Sequence, residues 1–332
     1  MRDFYCGILR AGLVALALCG VSGAASAQGS PAVFPSKPVK LVVATTAAGL
    51  TDTVTRAIAQ ELSKSWPQPA LVENKPGGST IVAASYVAKS HADGHTVLMA
   101  NDSTLSSNQY LFSKLPYDPV KDFAPVIMVY EAISMMVARP GFSAKNLQEL
   151  IAMARAKPDE LTYASFGAGS KTHLDTEALL FATGTRIRHI PYKGVAEVLT
   201  ALVAGQIDVA LSAIPPALPY LKSGQIKPIA LAGPKRFPML SDVPTFAEGG
   251  VPGVESRAWF GFVVPAGTPR PVIDKLAADV SKVITQPEFL DRRITGVGLG
   301  LLNTGPDDFA EFLKRDRADY AARVKHVGVK LD

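Results

Sequence analysis

Short apolar runs that end in small or polar residues and lead into helical patterns recur along this chain. Runs of this kind are typical of buried β-strands, and their alternation with amphipathic helices predicts a mostly parallel α/β sheet. Loops at the carboxyl ends of such strands line one crevice, so they predict a ligand site. Four runs are each followed by a loop of this type: 41–44 before 45–49, 96–99 before 101–104, 161–164 before 165–170, and 207–211 before 212–213.

The same pattern predicts how the chain is divided. Helices are expected over 51–65, 144–156, 271–285 and 306–327, and two nearly continuous strands within 123–137. The segment after residue 256 contains too few strand patterns to form a domain of its own, so we expect it to pack on the first domain. The chain then forms two α/β lobes, residues 28–138 with 256–332 and residues 139–255, joined by two crossings that act as a hinge.

The first residues carry the features of an export signal. Arg2 and Arg10 flank an apolar stretch over 8–20, and the small-residue pattern ending at Ala27 predicts cleavage there, which makes residues 1–27 a signal peptide. Cys6 and Cys19 both lie inside it, so we expect no disulfide or thiol chemistry in the exported product. The stretch is shorter than the roughly 20 residues of a membrane helix, and no other run approaches that length.

Composition and motifs argue against several classes of function. The formal net charge of +5 comes from scattered Lys and Arg residues, whereas nucleic-acid binding needs a clustered basic stripe. The histidines include no His-Glu-x-x-His helix and have no cysteine partners, so no metal site is expected. The run from Gly169 to Thr172 breaks the Gly-Lys pairing of a phosphate loop, and no cofactor is expected.

The loops supply the candidate ligand contacts. A helix N-terminus carries roughly half a positive charge and free amide donors, which together favour a carboxylate. Asp52 has two interpretations, a helix cap or a ligand contact, and His173 has the same two. The candidate ligand-binding residues are Thr45, Thr46, Ala48, Gly49, Asp52, Asn101, Ser103, Thr104, Ser165, Phe166, Gly169, Ser170, His173, Tyr192, Ser212 and Ala213.

Six phrases in one order add a family resemblance. They occupy residues 35–43, 72–77, 115–125, 189–194, 241–245 and 265–269. Together they resemble the substrate-binding proteins of tripartite tricarboxylate transporters, also called Bug-type receptors, over nearly the whole chain after residue 34. The resemblance implies a type II periplasmic binding protein whose two lobes close on a small carboxylate. It also implies delivery to the permease subunits of a membrane transporter, and we expect a monomer.

The loops match this family unequally. The first loop, 44–52, lacks the prolines and one glycine of the family pattern, which puts the usual carboxylate clamp in question. The third loop, with Ser165, Gly167, Gly169, Ser170 and His173, resembles the family pattern Ser-x-Gly-x-Gly-Ser-x-x-His. Ser212 stands where the family often has an acidic partner for a ligand amine, so we expect a mono-, di- or aromatic carboxylic acid and not an amino acid.

Two alternatives stay open at this point. An exported serine hydrolase could use Ser165 or Ser170 with His173, although Ser165 lies in half of a nucleophile elbow whose first glycine is missing. A receptor of the same fold could also report to a sensor kinase and not to a permease, and the sequence does not distinguish these two partners.

Overall fold

The computed structural model describes residues 34–328, and these form ten strands in one mixed sheet. The predicted signal peptide, residues 1–27, lies outside the described residues. The strand order is β2-β1-β3-β9-β4-β7-β5-β6, and β8 and β10 pair with β4. The strands are β1 Val39–Val43, β2 Ala70–Asn74, β3 Thr96–Asn101, β4 Phe123–Ala138, β5 Thr162–Ser165, β6 Arg188–Pro191, β7 Val209–Ala213, β8 Lys227–Leu231, β9 Arg257–Pro265 and β10 Gly300–Thr304.

Helices connect most of these strands. The predicted helices are present, and the last begins and ends at the predicted residues, whereas the one expected over 144–156 begins only at Leu147, after its cap Asn146. Single turns of tighter or wider helix occur at 78–80, 103–107, 238–240, 290–294 and 295–297. The α-helices are α1 Leu50–Ser65, α2 Ile81–Ala88, α3 Asn108–Leu111, α4 Leu147–Ala156, α5 Lys171–Thr183, α6 Val195–Val203, α7 Ile214–Lys222, α8 Arg270–Ile284, α9 Pro287–Phe289 and α10 Pro306–Val327.

Strand β4 joins two halves of the sheet. Its first part pairs with β9 and β10, and its last five residues pair with β7 and β8. The prediction of two separate strands here was wrong, because register shifts near Pro125 and Met128 absorb the irregularity without ending the strand. We call β1–β3, β9 and β10 the first half, and β5–β8 the second half. Each half contains parallel pairs, so its loops leave the carboxyl ends of neighbouring strands.

Helix α10 is fixed to the first half. The Arg317 guanidinium donates to the carbonyls of Leu105 and Pro119, each at 2.9 Å. The indole of Trp259 donates to Asp316 at 2.9 Å, and Trp259 is buried against two phenylalanines of the same helix. Trp259 is therefore a core residue. Among the described helices, none has the length and apolar character needed to cross a bilayer.

Candidate functional site

Loops from both halves of the sheet enclose a cavity of about 590 Å³. The loops after β2 and β3 contribute one wall, and the loop after β5 with the start of α5 contributes the other. The structure thus brings together two of the four predicted loops, the second and the third. The lining residues are Gly78, Ser79, Thr80, Ser103, Ser107, Asn108, Leu111, Phe112, Phe166, Ala168, Gly169, Ser170, Lys171, Leu174 and Tyr320.

Most amides of the third loop are already used within the loop. The Gly169 N–H donates to Nδ1 of His173 at 3.0 Å, and the Phe166 N–H donates to the Thr172 hydroxyl at 3.2 Å. Gly169 has φ +74°, a conformation that suits glycine. The first-turn amides of Lys171 and Thr172 have no carbonyl four residues earlier within α5. These two amides, more than those of the loop itself, are donors that a ligand could use.

The serines of the third loop have structural partners. Ser165 is fully buried, its hydroxyl lies 2.6 Å from Nε2 of His189, and it also donates to the Gly167 carbonyl at 3.0 Å. The Ser170 hydroxyl caps α5 by accepting from the His173 N–H at 3.3 Å. His173 offers its Nδ1 to the loop and not to either serine hydroxyl. The arrangement needed for the hydrolase alternative, an accessible serine paired with His173, is therefore not formed.

The buried ring of His173 supports the third loop from the interior of the second half. Its ring stacks on His189 at 4.2 Å between centroids, and His189 stacks in turn on Tyr163 at 4.8 Å. Burial lowers the pKa of His173, and burial together with the neighbouring His173 lowers the pKa of His189 to about 4. A neutral ring is what the Gly169 N–H requires of its acceptor. His173 is only 8% exposed, so the geometry favours the supporting role.

The second loop is braced by its own side chains. The Ser103 N–H donates to Asp102, and the Thr104 N–H donates to the Asn101 side chain at 3.1 Å. The buried Thr104 hydroxyl reaches the Thr80 hydroxyl at 2.9 Å. Ser103 lines the cavity, whereas Thr104 and Asn101 fix its wall.

Sequence reasoning missed several polar residues of the cavity. Ser79 and Thr80 follow β2, and Ser107 and Asn108 lie at the junction of the 103–107 turn with α3. The Asn108 amide donates to the Ser79 carbonyl at 2.8 Å, which joins the two loops. The helical periodicity over these short segments is too weak to predict which of their side chains face the cavity. The unusual run of Gly, Ser and Thr at 77–80 is the local signal that could have identified Ser79 and Thr80.

Asp52 closes the first loop upon itself. Its carboxylate accepts from the Ala48 N–H at 2.9 Å, from the Asn74 amide at 2.8 Å and from the Arg56 guanidinium at 2.9 Å. Burial alone would raise the pKa of Asp52, but the hydrogen bonds from Arg56, Asn74 and Ala48 outweigh it and hold that pKa below its ordinary value. With three donors on one buried carboxylate, the structure favours a structural role, in which Asp52 caps the Ala48 amide just before α1, over a ligand contact.

The first loop does not line the cavity shared by the second and third. Thr45, Thr46 and Ala48 are exposed, and Gly49 is half-buried. Ala48 and Asp52 line a different cavity of about 430 Å³. The first loop thus contributes no lining residue to the shared cavity, and the Ala48 N–H bond to Asp52 ties it to the start of α1. The prediction that all four loops face one crevice stays a prediction.

The fourth loop and Tyr192 are also not among the residues that line the shared cavity. Ser212 is fully buried and its hydroxyl donates to the Ala213 carbonyl at 3.2 Å. Tyr192 packs on the apolar core of the second half. Ser212 belongs to the interior because β7 is a central strand of that half, with neighbours on both sides, whereas Tyr192 follows the edge strand β6 and is half-buried. Among the described residues, no group of three or more acidic, His or Cys side chains could hold a metal ion.

Comparisons with known proteins identify the family of this chain. Residues 54–329 match the model of the tripartite tricarboxylate transporter family receptor, TctC. The protein BugT of Bordetella pertussis is 29% identical over 317 residues, which covers 95% of this chain and 96% of that protein.

Two solved structures are similar over their full length. R. palustris Rpa4515 with adipate is 33% identical, with a TM-score of 0.79 over 90% of this chain and 99% of that chain. MatC from Rhodopseudomonas palustris with bound malate is 34% identical, with a TM-score of 0.74 over 88% of this chain and 100% of that chain. The fold is thus that of a periplasmic solute-binding protein.

Proposed function

Since the chain belongs to the tripartite tricarboxylate transporter receptor family, and is a receptor and not an enzyme, we propose that it captures a small carboxylic acid for a transporter of that type. The observation that carries the proposal is the cavity of about 590 Å³ between the second and third loops. A cavity of this size suits a small organic solute.

The lining of the cavity favours an acid with an apolar body. The start of α5 offers free amides and the positive end of a helix dipole, which favour a carboxylate. Ser103, Ser107 and Ser170 add hydroxyl donors around it. Phe112 and Phe166 supply an apolar surface between the polar groups. Adipate in Rpa4515 and malate in MatC are both small dicarboxylates, and we propose a small carboxylic acid of this class for this chain.

Hydrogen bonds from such a site are sufficient to bind a carboxylate with micromolar affinity, and no buried arginine is needed. Each hydrogen bond to a charged group contributes on the order of 1.5–3 kcal/mol. Several such bonds from two walls can reach the roughly 8 kcal/mol that corresponds to micromolar affinity.

The remaining assignments form part of the same proposal. The chain is exported to the periplasm after cleavage near Ala27, acts as a monomer and meets the permease subunits of a secondary transporter. Residues 28–138 with 256–332 form one lobe, and residues 139–255 form the other. The lobes close because the liganded form gains contacts from both walls. Small-angle scattering tests the closure, since an unchanged radius of gyration on adding a tightly bound ligand would exclude it.

Titration calorimetry tests the ligand class. Purified protein is titrated with adipate, malate, benzoate and glutamine, and we expect binding by at least one acid and none by glutamine. Phe166→Ala is expected to raise the Kd for that acid about tenfold, which corresponds to about 1.4 kcal/mol, because an apolar contact with the ligand is lost. Phe181→Ala, on the exposed face of α5, is the matched control and should leave the affinity unchanged. Binding of neutral or cationic solutes alone would contradict the proposal.

A further inference from the structure

The first residue of α5, Lys171, is held by charged partners from both halves of the sheet. Its ammonium lies 2.9 Å from Asp175 on the same helix, 3.0 Å from the Tyr320 hydroxyl on α10 and 3.6 Å from Asp102 in the second loop. The Tyr320 hydroxyl donates to the same Asp102 oxygen at 2.6 Å. Arg323, also on α10, donates to Asp175. We call these five residues the α5–α10 cluster.

The cluster is poorly exposed to water. The side chain of Asp175 is 0% exposed, that of Asp102 is 4% exposed, and those of Lys171 and Arg323 are 19% and 26% exposed. Its two carboxylates and two cations balance. A balanced buried network constrains geometry, because moving one partner away leaves an uncompensated charge out of water. Beside it, an apolar contact of Leu111, Leu174, Tyr320 and Val324 joins the same elements.

The cluster spans the two walls of the cavity. Asp102 is part of the second loop, and Lys171 directly follows Ser170, the cap of α5 and the end of the third loop. Helix α10 is itself fixed to the first half through Arg317. A displacement of the third loop away from the second would therefore have to break contacts of Lys171 and Asp175.

We propose that Lys171 and Asp175 are positioning residues that hold the third loop at a set distance from the second loop and so define the width of the ligand cavity. Their role as determinants of ligand affinity rests on the proposed function, whereas their effect on cavity width does not. They act through α10 and Asp102. Because Lys171 also lines the cavity, the distance measurement and not the ligand affinity isolates the positioning role.

Distance measurement between the halves tests this inference without any ligand. Spin labels are attached at Gln60→Cys on α1 and Ala196→Cys on α6, both exposed positions. The only cysteines of the sequence, Cys6 and Cys19, lie in the predicted signal peptide, so the labels are unique in the exported chain. The charge-balanced variant Lys171→Met with Asp102→Asn is compared with wild type. Lys157→Met, which removes an exposed ion pair with Glu160, is the matched control.

We expect a narrow distance distribution in wild type and in the control, and a distribution at least twice as broad in the double variant. Where adipate binds, its Kd should rise about tenfold in the double variant and stay unchanged in the control. A folded double variant with the wild-type distribution would overturn the inference. If the double variant does not fold, Tyr320→Phe removes only the bridging hydroxyl and must broaden the distribution for the inference to stand. Failure of every carboxylate to bind contradicts the proposed function and leaves the distance result decisive for the cluster.

Discussion

Removing the Asp52 carboxylate should loosen the first loop and lower the stability of the whole protein. In the Asp52→Ala variant, the Ala48 amide loses its acceptor, whereas the Asn74 side chain keeps the Thr45 carbonyl and the Arg56 guanidinium keeps the Asn74 side-chain oxygen. The Ala48 amide loses most, because Ala48 has φ +66°, an uncommon conformation for a residue with a side chain. The hydrogen bond to Asp52 helps to hold that conformation.

The size of the effect follows from these contacts. Hydrogen bonds to a charged group contribute roughly 1.5–3 kcal/mol each. The loop is exposed, so hydrogen bonds to water replace part of the lost hydrogen bonds. The variant also avoids the cost of burying a carboxylate, which reduces the net loss further. We therefore expect a net loss of about 3 kcal/mol. With an unfolding entropy of about 2.1 cal/mol/K per residue over about 300 residues, this loss lowers Tm by about 5 °C.

Thermal unfolding followed by circular dichroism measures the change. Asp274→Ala is the matched control, because Asp274 also accepts from an arginine four residues away but is 52% exposed. An exposed pair of this kind contributes less than about 1 kcal/mol. A Tm for Asp52→Ala within 1 °C of the control would refute the capping role.

The pH dependence provides a second check on the same variant. The pKa of Asp52 lies below its ordinary value, so the native state binds fewer protons there than the unfolded chain. Its stabilisation is present above the ordinary Asp pKa of about 4 and is lost as pH falls through the lowered native value. The difference between wild type and Asp52→Ala should therefore shrink in strong acid. A constant difference between pH 7 and pH 2 would show that the charge is not involved.

Three further predictions concern other parts of the fold. A Cβ at Gly261 would lie 2.8 Å from the Ile127 carbonyl oxygen, so Gly261→Ala should cost about 1–3 kcal/mol by overpacking. Gly305→Ala, with no described atom within 4 Å of its Cβ, should cost less than about 1 kcal/mol, as expected for Ala at the N-cap of α10, and equal Tm values for the two variants would contradict the overpacking argument. Ser170→Ala removes the cap of α5 and should cost about 1 kcal/mol in urea unfolding, and no loss would mean that the cap is not stabilising. The native pKa of His189 is about 4 and the unfolded value about 6.5, so the free energy of unfolding should fall as pH drops from 6.5 to 4. His189→Phe should flatten this dependence of stability on pH. If the dependence is unchanged in the variant, other groups cause the loss of stability.

Much of the fold and part of the site could be predicted from the sequence. The last helix was predicted to the residue, since apolar positions at helical spacing begin just after Gly305 and end just before Gly328. The third loop, predicted from its small residues after a buried strand, contributes Phe166, Gly169 and Ser170 to the lining of the cavity. These features depend on residues close together in sequence, which is why local pattern was enough.

The use of each loop amide could not be predicted in this way. Asp52 and His173 each accept a hydrogen bond from an amide of their own loop. From the sequence, a ligand contact was as good a prediction for both residues as a structural role. His189, which braces Ser165, lies 24 residues away from it and carries no local signal. A donor takes whichever acceptor the completed packing brings to it, and sequence spacing alone does not determine that choice.

The sequence by itself determined the α/β alternation, the family and the candidate loops, because apolar periodicity and turn residues act over a few positions. Only the tertiary structure decided which loop residues line the cavity, namely those of the second and third loops. It also decided that Lys171 meets Tyr320, a residue 149 positions later. The physical reason is that hydrogen bonds and charge pairs act over a few ångströms in space, and folding alone brings such distant segments within that range.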